Sequence, residues 1–437
     1  MLLIANPLME LENQNKKVLI ITYYWPPSGG AGVQRWLKFT KYLPDFGWEP
    51  IVFTPENPSF DLQDNSLENE VDERVDVLKF PIWEPYGLFK RISGTKELKQ
   101  GQILEQENRS WLKSISIFLR GNLFIPDPRV FWVKSSVKYL QDIIVKNEIK
   151  HVITTGPPHS MHLIGLKLKY LIPSVQWLAD FRDPWTQWDL MKQFRILPFV
   201  WNKHEKLEKE VLKVADVTIA TGKRAAADLK SLGARKVVAL TNGFDTDVEF
   251  SQKSPTTDRM TILHLGMLNS QRQPLLFFSV LNEFTNFHKE IALKFTGIIS
   301  PEVKRSILSF DFLKDVVEFR DSLPHSALIE EYLQANVLLL LQTNSKESVS
   351  QLPGKLFEYL AQKKPILAFG HPNSDVAEIL KETNSGVMLS YEDREGIESV
   401  VRMIQKGKFG KDFTYKGIEE YSRKVIASRL SEILESR

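Results

Sequence analysis

The chain has 437 residues, 57 Lys and Arg against 54 Asp and Glu, 43% hydrophobic residues and no cysteine. At about 150 residues per domain this makes two to three domains, apolar enough for packed interiors. The missing cysteine excludes disulfide scaffolds, iron–sulfur clusters, thiolate zinc sites and cysteine nucleophiles, and fits a reducing compartment. A net charge of +3 gives no argument for nucleic acid. No apolar run approaches the ~20 residues of a spanning helix. The start, Met1-Leu-Leu-Ile-Ala-Asn6, lacks the regions of a secretion signal, so residues 1–15 read as a flexible extension.

Strand-like apolar runs then alternate with helical patterns. Val18–Tyr24 is the first strand, and Val33, Trp36, Leu37, Thr40 and Leu43 follow at helical spacing. Further strands are expected at 50–54, 75–80, 151–155, 175–179, 217–220 and 236–240. After the Asn242-Gly243 turn and a polar linker at 251–260, a second series covers 261–265, 292–296, 316–319, 337–341, 365–368 and 386–389. Strands separated by helices predict parallel sheets covered on both faces, one in each half. This gives an α/β chain with an N-terminal domain at 16–250, a C-terminal domain at 261–415 and a C-terminal helix at 416–437. Residues 84–134 interrupt the first series. Their aromatics (Trp83 beside them, then Trp111, Phe118, Phe124, Phe131 and Trp132) alternate with Lys113, Arg120, Arg129 and Lys134. Either a helical insertion covers the sheet edge or a basic aromatic face meets a membrane.

Five segments carry chemistry. In Tyr24-Trp-Pro-Pro-Ser-Gly-Gly-Ala-Gly-Val-Gln-Arg35 a strand ends, glycines follow and a helix starts, which is either an anion cradle or a tight turn. Arg35 stands where a dinucleotide fingerprint needs glycine, and no Walker lysine follows. Thr154-Thr-Gly-Pro-Pro-His-Ser-Met-His162 repeats the strand–turn–helix form. There His159 is either a neutral imidazole for proton transfer or an exposed histidine on a capping turn. Leu178-Ala-Asp-Phe-Arg-Asp-Pro-Trp-Thr186 places Asp180, Arg182 and Asp183 beyond a strand end, where ligands of open α/β sheets bind. An internal ion pair of Arg182 with either carboxylate is the plainer alternative. Leu263-His-Leu-Gly-Met-Leu-Asn-Ser-Gln-Arg272 joins a buried strand, Gly266 and an arginine suited to phosphate. Pro353-Gly-Lys-Leu-Phe-Glu358 opens a helix on which Glu358 either accepts two hydroxyl bonds, as from a ribose diol, or pairs with Lys355 or Lys363. Asp245-Thr-Asp247, a metal–diphosphate pattern in some sugar transferases, lies beside a turn and is not read as a metal site.

In their order and spacing these segments resemble the retaining family 4 glycosyltransferases of the GT-B fold, from about residue 17 to the C-terminus and most weakly over 56–135. The resemblance implies two Rossmann-like doubly wound domains facing a central cleft, with the C-terminal helix crossing back to the N-terminal domain. It implies that Gly29, Gly30, Gly32, Gly266, Arg272, Lys355 and Glu358 bind the donor. It also implies that Glu318-Phe-Arg-Asp321 and the residues after it surround the nucleotide base. The first glutamate of the family's Glu-x7-Glu pair, which contacts the donor sugar, is replaced by Ser350, and the usual arginine after the glycine by Met267. Pro157-Pro-His-Ser160 with Phe181-Arg-Asp-Pro-Trp185 looks like a bacterial polysaccharide-assembly branch.

The expected activity is transfer of a sugar from a nucleotide-diphosphate sugar to an acceptor hydroxyl with retention, in cell-surface polysaccharide or lipid-linked glycan synthesis. His159, Asp183 and Arg272 are the expected catalytic residues, and Arg182 and Asp180 the acceptor side. The nucleotide sugar is a co-substrate; no metal or other cofactor is expected. The partners are that nucleotide sugar and a glycan or lipid-linked acceptor, with peripheral membrane contact through 84–134 and no nucleic acid. The location is cytoplasmic, at the inner face of the plasma membrane. A sugar-nucleotide epimerase and a catalytically degenerate nucleotide-sugar-binding protein are the alternatives. A dehydrogenase is disfavoured by Arg35.

Overall fold

The computed structural model describes residues 16–60, 62–85, 111–188, 191, 194–245, 259–284, 290–323 and 325–436. The expected extension at 1–15, most of the linker, and residues 86–110 of the insertion lie outside the described residues.

The first lobe runs β1 (Lys17–Ile21), α1 (Ala31–Tyr42), β2 (Glu49–Pro55), β3 (Asp76–Phe80), α2 (Trp111–Leu123), α3 (Val130–Lys146), β4 (His151–Gly156), α4 (Ser160–Leu171), β5 (Gln176–Phe181), α5 (Pro198–Val214), β6 (Val217–Ala220), α6 (Lys223–Ser231) and β7 (Val237–Ala239). The second runs β8 (Met260–Leu265), α7 (Leu275–Glu283), β9 (Ile291–Thr296), α8 (Pro301–Leu308), α9 (Asp311–Val316), β10 (Val317–Arg320), α10 (His325–Gln334), β11 (Val337–Leu341), α11 (Gly354–Ala361), β12 (Ile366–Phe369), α12 (Asp375–Thr383), β13 (Gly386–Leu389) and α13 (Arg394–Gln405). A last helix, α14 (Arg423–Glu435), ends the chain.

Both sheets are parallel, in the orders β3-β2-β1-β4-β5-β6-β7 and β10-β9-β8-β11-β12-β13. Strand order therefore reverses at β1/β4 and at β8/β11, and a crevice opens beyond the strand ends at each reversal. The strands are apolar on both faces because each face is covered by helices: Val18 and Ile20 pack on one side, Leu19 and Ile21 on the other.

The C-terminal helix crosses back, as the fold class predicts. Ile426, Ala427, Leu430 and Leu434 of α14 join the core built on Val18, Ile20 and Trp36. At the crossing, the Phe244 N–H donates to Tyr421 O at 3.1 Å and the Arg423 N–H to Phe244 O at 2.8 Å. Asp245 of the Asp-x-Asp pattern is spent here on Arg423 (2.7 Å), Lys38 (2.9 Å) and Tyr42 (3.0 Å), and Asp247 lies outside the described residues.

Beneath the glycine loop lies a buried ion pair. Arg35 donates through Nε (3.1 Å) and Nη2 (2.9 Å) to the two oxygens of Asp180. Its remaining bonds reach Leu240 O, Thr241 O and Asn242 Oδ1. Asp180 also accepts from the Trp36 indole (2.7 Å) and the Thr155 hydroxyl (3.0 Å). Arg35, which breaks a dinucleotide fingerprint, thus joins α1, β5 and the exit from the first lobe. Arg35→Met is expected to leave a buried unpaired carboxylate and cost about 3–5 kcal/mol in chemical denaturation, with partial recovery in Arg35→Met/Asp180→Leu.

Candidate functional site between the lobes

Loops at the carboxyl ends of β1, β4 and β5 form the first lobe's side of the site. Arg182 ties two of them together, donating from Nη1 to Gly32 O at 2.7 Å and from Nη2 to Pro157 O. A Cβ on residue 32 would stand 2.7 Å from Nη1, so this glycine is required by close approach of the guanidinium. Arg182 makes no ion pair within the described residues, and its buried Nε has no partner. The plainer expectation, an ion pair of Arg182 with a neighbouring carboxylate, is therefore not what forms.

Asp180 corrects a second expectation. Its side chain is fully buried and engaged by Arg35, behind the cleft wall rather than on it, because the strand's alternation turns it inward. Asp183, two residues past the strand, does face the cleft. It is exposed to solvent there yet ringed by protein. That confinement raises its carboxyl above the ordinary range, Arg182 opposing and Asp180 adding to the rise.

His159 is not the exposed histidine of a capping turn. It is buried, lies flat against Trp185 (centroids 4.9 Å apart, planes at 5°) and has no hydrogen-bond partner on either nitrogen among the described residues. Burial holds the ring well below the ordinary histidine range, with His162 and Arg182 pushing the same way and the Pro184 carbonyl weakly opposing.

On the second lobe, Gly266 ends β8 at φ +117°, and the Lys355 ammonium lies over its Cα where a side chain would otherwise stand. Lys355 belongs to the first turn of α11, whose N-cap, Pro353, supplies no side-chain acceptor. The start of that helix thus adds free N–H groups and partial positive charge. Nearby, among the described residues the Arg272 side chain donates only a long bond, Nε to Thr343 Oγ1 at 3.4 Å. Neither cation forms an ion pair among the described residues. Burial lowers the pKa of both; Arg272 adds to the effect at Lys355, Glu358 opposes it there, and Tyr391 opposes it at Arg272.

Glu358 is paired with neither Lys355 nor Lys363. It accepts from Tyr332 Oη at 3.1 Å and lines a small crevice of about 70 Å³ against Arg35, Lys38 and Asn242 of the first lobe.

Two larger cavities meet at Arg182 and Asp183. One, of about 210 Å³, lies between the lobes and is lined by those residues, Thr221, Arg272, Thr343 and Ser350. The other, of about 410 Å³, lies within the first lobe against Gly29, Gly30, Gly32, His159, Trp185 and Trp188. The structure therefore brings Arg182, Asp183 and Arg272 together and sets His159 and the three loop glycines in the adjoining cavity. Gly266 and Lys355 stand behind Arg272, and Glu358 in the side crevice. Sequence reasoning passed over His162, His204 and Glu208. The available signal was polar residues on otherwise packed helix faces: His204 and Glu208 stand four apart on α5 among exposed lysines.

Solved structures with the same architecture extend over the whole molecule. Sucrose-phosphate synthase from Thermosynechococcus elongatus matches with TM-score 0.61 and 13% identity, over 96% of this chain and 98% of that one. HepE from Anabaena, solved with UDP and glucose, matches with TM-score 0.60 and 11% identity, over 97% and 100%. WaaB, a lipopolysaccharide outer core galactosyltransferase, matches with TM-score 0.58 and 12% identity, over 96% and 99%. The chain has the GT-B fold. At these identities the likeness is one of fold. No family model matches the chain, and a search of curated protein sequences finds no match either. Within this GT-B molecule the two order reversals, β1/β4 and β8/β11, carry the loops that line the crevice, which is why the sequence motifs cluster there.

Burial lowers His162 to about 3 and His204 and His264 to about 4. An unfolded histidine takes up its proton near pH 6.5. Between those values the unfolded chain binds more protons, so these rings contribute stability that is complete above pH 6.5 and declines on acidification towards 4. Glu208, whose carboxyl is raised by burial, acts in the opposite sense. The clean measurement is therefore a difference: His264→Asn should reduce proton uptake on unfolding at pH 5 by about one, read by calorimetry in buffers of different ionisation heat.

Proposed function

We propose that this protein is a retaining glycosyltransferase that moves a sugar from a nucleotide-diphosphate sugar to an acceptor hydroxyl, without a metal. The observation that carries this reading is the pair Arg272 and Lys355: two largely enclosed cations that form no ion pair among the described residues, beside a helix start whose N-cap supplies no side-chain acceptor. Holding them unpaired is costly unless an anion completes the site. A diphosphate fits, and charge grows on it as the anomeric C–O bond breaks, so Arg272 and Lys355 stabilise the departure. Glu358 would take the ribose hydroxyls from its crevice, and Gly29, Gly30 and Gly32 let the donor approach the first lobe. The HepE structures with UDP-glucose and the galactosyltransferase WaaB support a nucleotide sugar as the ligand.

The acceptor would enter the first-lobe cavity, past His159 and Arg182, and meet the donor at Asp183. There the acceptor oxygen forms the new C–O bond on the face the diphosphate leaves. Its proton goes to the Asp183 carboxylate, which faces this cleft. A glycan or lipid-linked acceptor of a bacterial polysaccharide pathway suits this cavity, at the cytoplasmic face of the membrane. No described helix is long and apolar enough to cross a membrane. Peripheral contact is supported by Trp83 (62% exposed) and Phe131 (49% exposed), which touch edge-to-face at 5.1 Å and leave one aromatic patch open.

One observation favours a second reading. Ser350 lines the cleft and brings no charge to the donor sugar, as in a nucleotide-sugar-binding protein without turnover. Mass spectrometry of sugar nucleotides retained by the purified protein, followed by assay with acceptors, separates the two; conversion of a retained donor with no acceptor present points instead to an epimerase. Arg272→Ala is expected to lower turnover about a hundredfold. A change within twofold means the diphosphate binds elsewhere. Glu358→Gln is expected to weaken donor binding measured by calorimetry, and unchanged affinity removes its ribose role.

A further inference from the structure

The loop that presents Asp183 is held from behind by α5. His204 and Glu208 stand one turn apart on that helix and are 1% and 2% exposed, although Lys203, Lys206 and Lys209 around them are exposed. Both polar groups are spent on consecutive loop residues. The Trp185 indole Nε1–H donates to His204 Nδ1 at 3.0 Å. Thr186 donates its backbone N–H to Glu208 Oε1 at 3.4 Å and its hydroxyl to Oε2. Trp185 in turn meets His204 edge-on, with centroids 6.3 Å apart, and lies flat on His159. The flat stack on Trp185 is the closest ring contact His159 makes, with the Pro184 carbonyl only a weak polar neighbour, so Trp185 bears most directly on the plane of the ring. A line of contact thus runs from α5 through Trp185 to His159, and the loop so held carries Asp183 two residues before Trp185.

We propose that His204 and Glu208 are positioning residues for the acceptor end of the cleft, which fix Trp185 in one orientation and through it the ring of His159 and the reach of Asp183. This inference rests on the transferase reading of the cleft. An indole N–H only donates, so a buried tryptophan needs an acceptor at one defined place. Apolar residues of the same shape would pack as well, but would leave the buried indole N–H without its acceptor, so nothing would favour this ring orientation over its flip. Accepting at Nδ1 places the proton of the neutral His204 ring on Nε2, so the tautomer is set as well.

Two variants of the full chain separate this role from packing. His204→Phe keeps a ring but removes the acceptor. His204→Asn keeps an acceptor close to the Nδ1 position but leaves a void. We expect His204→Phe to lower turnover with acceptor at least tenfold, with affinity for the donor (assayed with UDP-glucose, UDP-galactose and GDP-mannose) within twofold of wild type. His204→Asn should stay within threefold of wild-type turnover while melting at a lower temperature than His204→Phe. The Trp185 indole proton, assigned by its loss in Trp185→Phe, should exchange slowly in wild type and His204→Asn and quickly in His204→Phe. Turnover that ranks the variants by melting temperature, or donor affinity that falls with turnover, overturns the inference and leaves the transferase reading standing. Wild-type protein that binds none of the three donors and transfers no sugar overturns both.

Discussion

Unpaired positive charge is the constraint around which this molecule is arranged. Arg272 lines the cleft between the lobes and Lys355 stands over Gly266 at the end of β8; neither forms an ion pair among the described residues, and burial disfavours the charged form of both. A fold keeps such groups only where the surrounding structure allows no relaxation. Here the left-handed backbone at Gly266 makes room for the ammonium, and the start of α11 fixes the stem that carries it. The proposed diphosphate would complete this arrangement, since an anion there meets two cations that no ion pair among the described residues neutralises.

The first lobe solves the opposite problem. There Arg35 and Asp180 neutralise one another beneath the glycine loop, and Arg182 gives both terminal nitrogens to backbone carbonyls of neighbouring loops, which keeps the loops around them in place. With these groups engaged, Asp183 is the carboxylate left to the cleft where the two cavities meet. Trp185, held from α5, then lies flat on His159. Charge pairing inside the first lobe thus serves geometry, whereas the second lobe keeps cations that the proposed donor would pair.

Much of the fold is legible in the chain. Each strand expected from an apolar run is found, because parallel strands buried on both faces need uninterrupted apolar residues and cannot hide that need. Glycine at 32 and 266 was legible as close approach, though not what approaches: the guanidinium of Arg182 in one case, the ammonium of Lys355 in the other. Asp180 and Asp183 look equivalent in sequence. They differ because one sits on the inward side of β5 and the other beyond its end, a distinction made by the strand's last residue.

What the residues determined by themselves is local: apolar runs, glycine turns and polar loops after strands, each governed by neighbours within a few positions. Who pairs with whom was decided only in three dimensions. Arg35 finds Asp180 across 145 positions, and Lys355 finds Gly266 from a helix that follows β11 in the chain. The choice turns on packing, since desolvation favours whichever partner lies in contact, and contact between distant segments is a property of the folded sheet order that no short window of sequence contains.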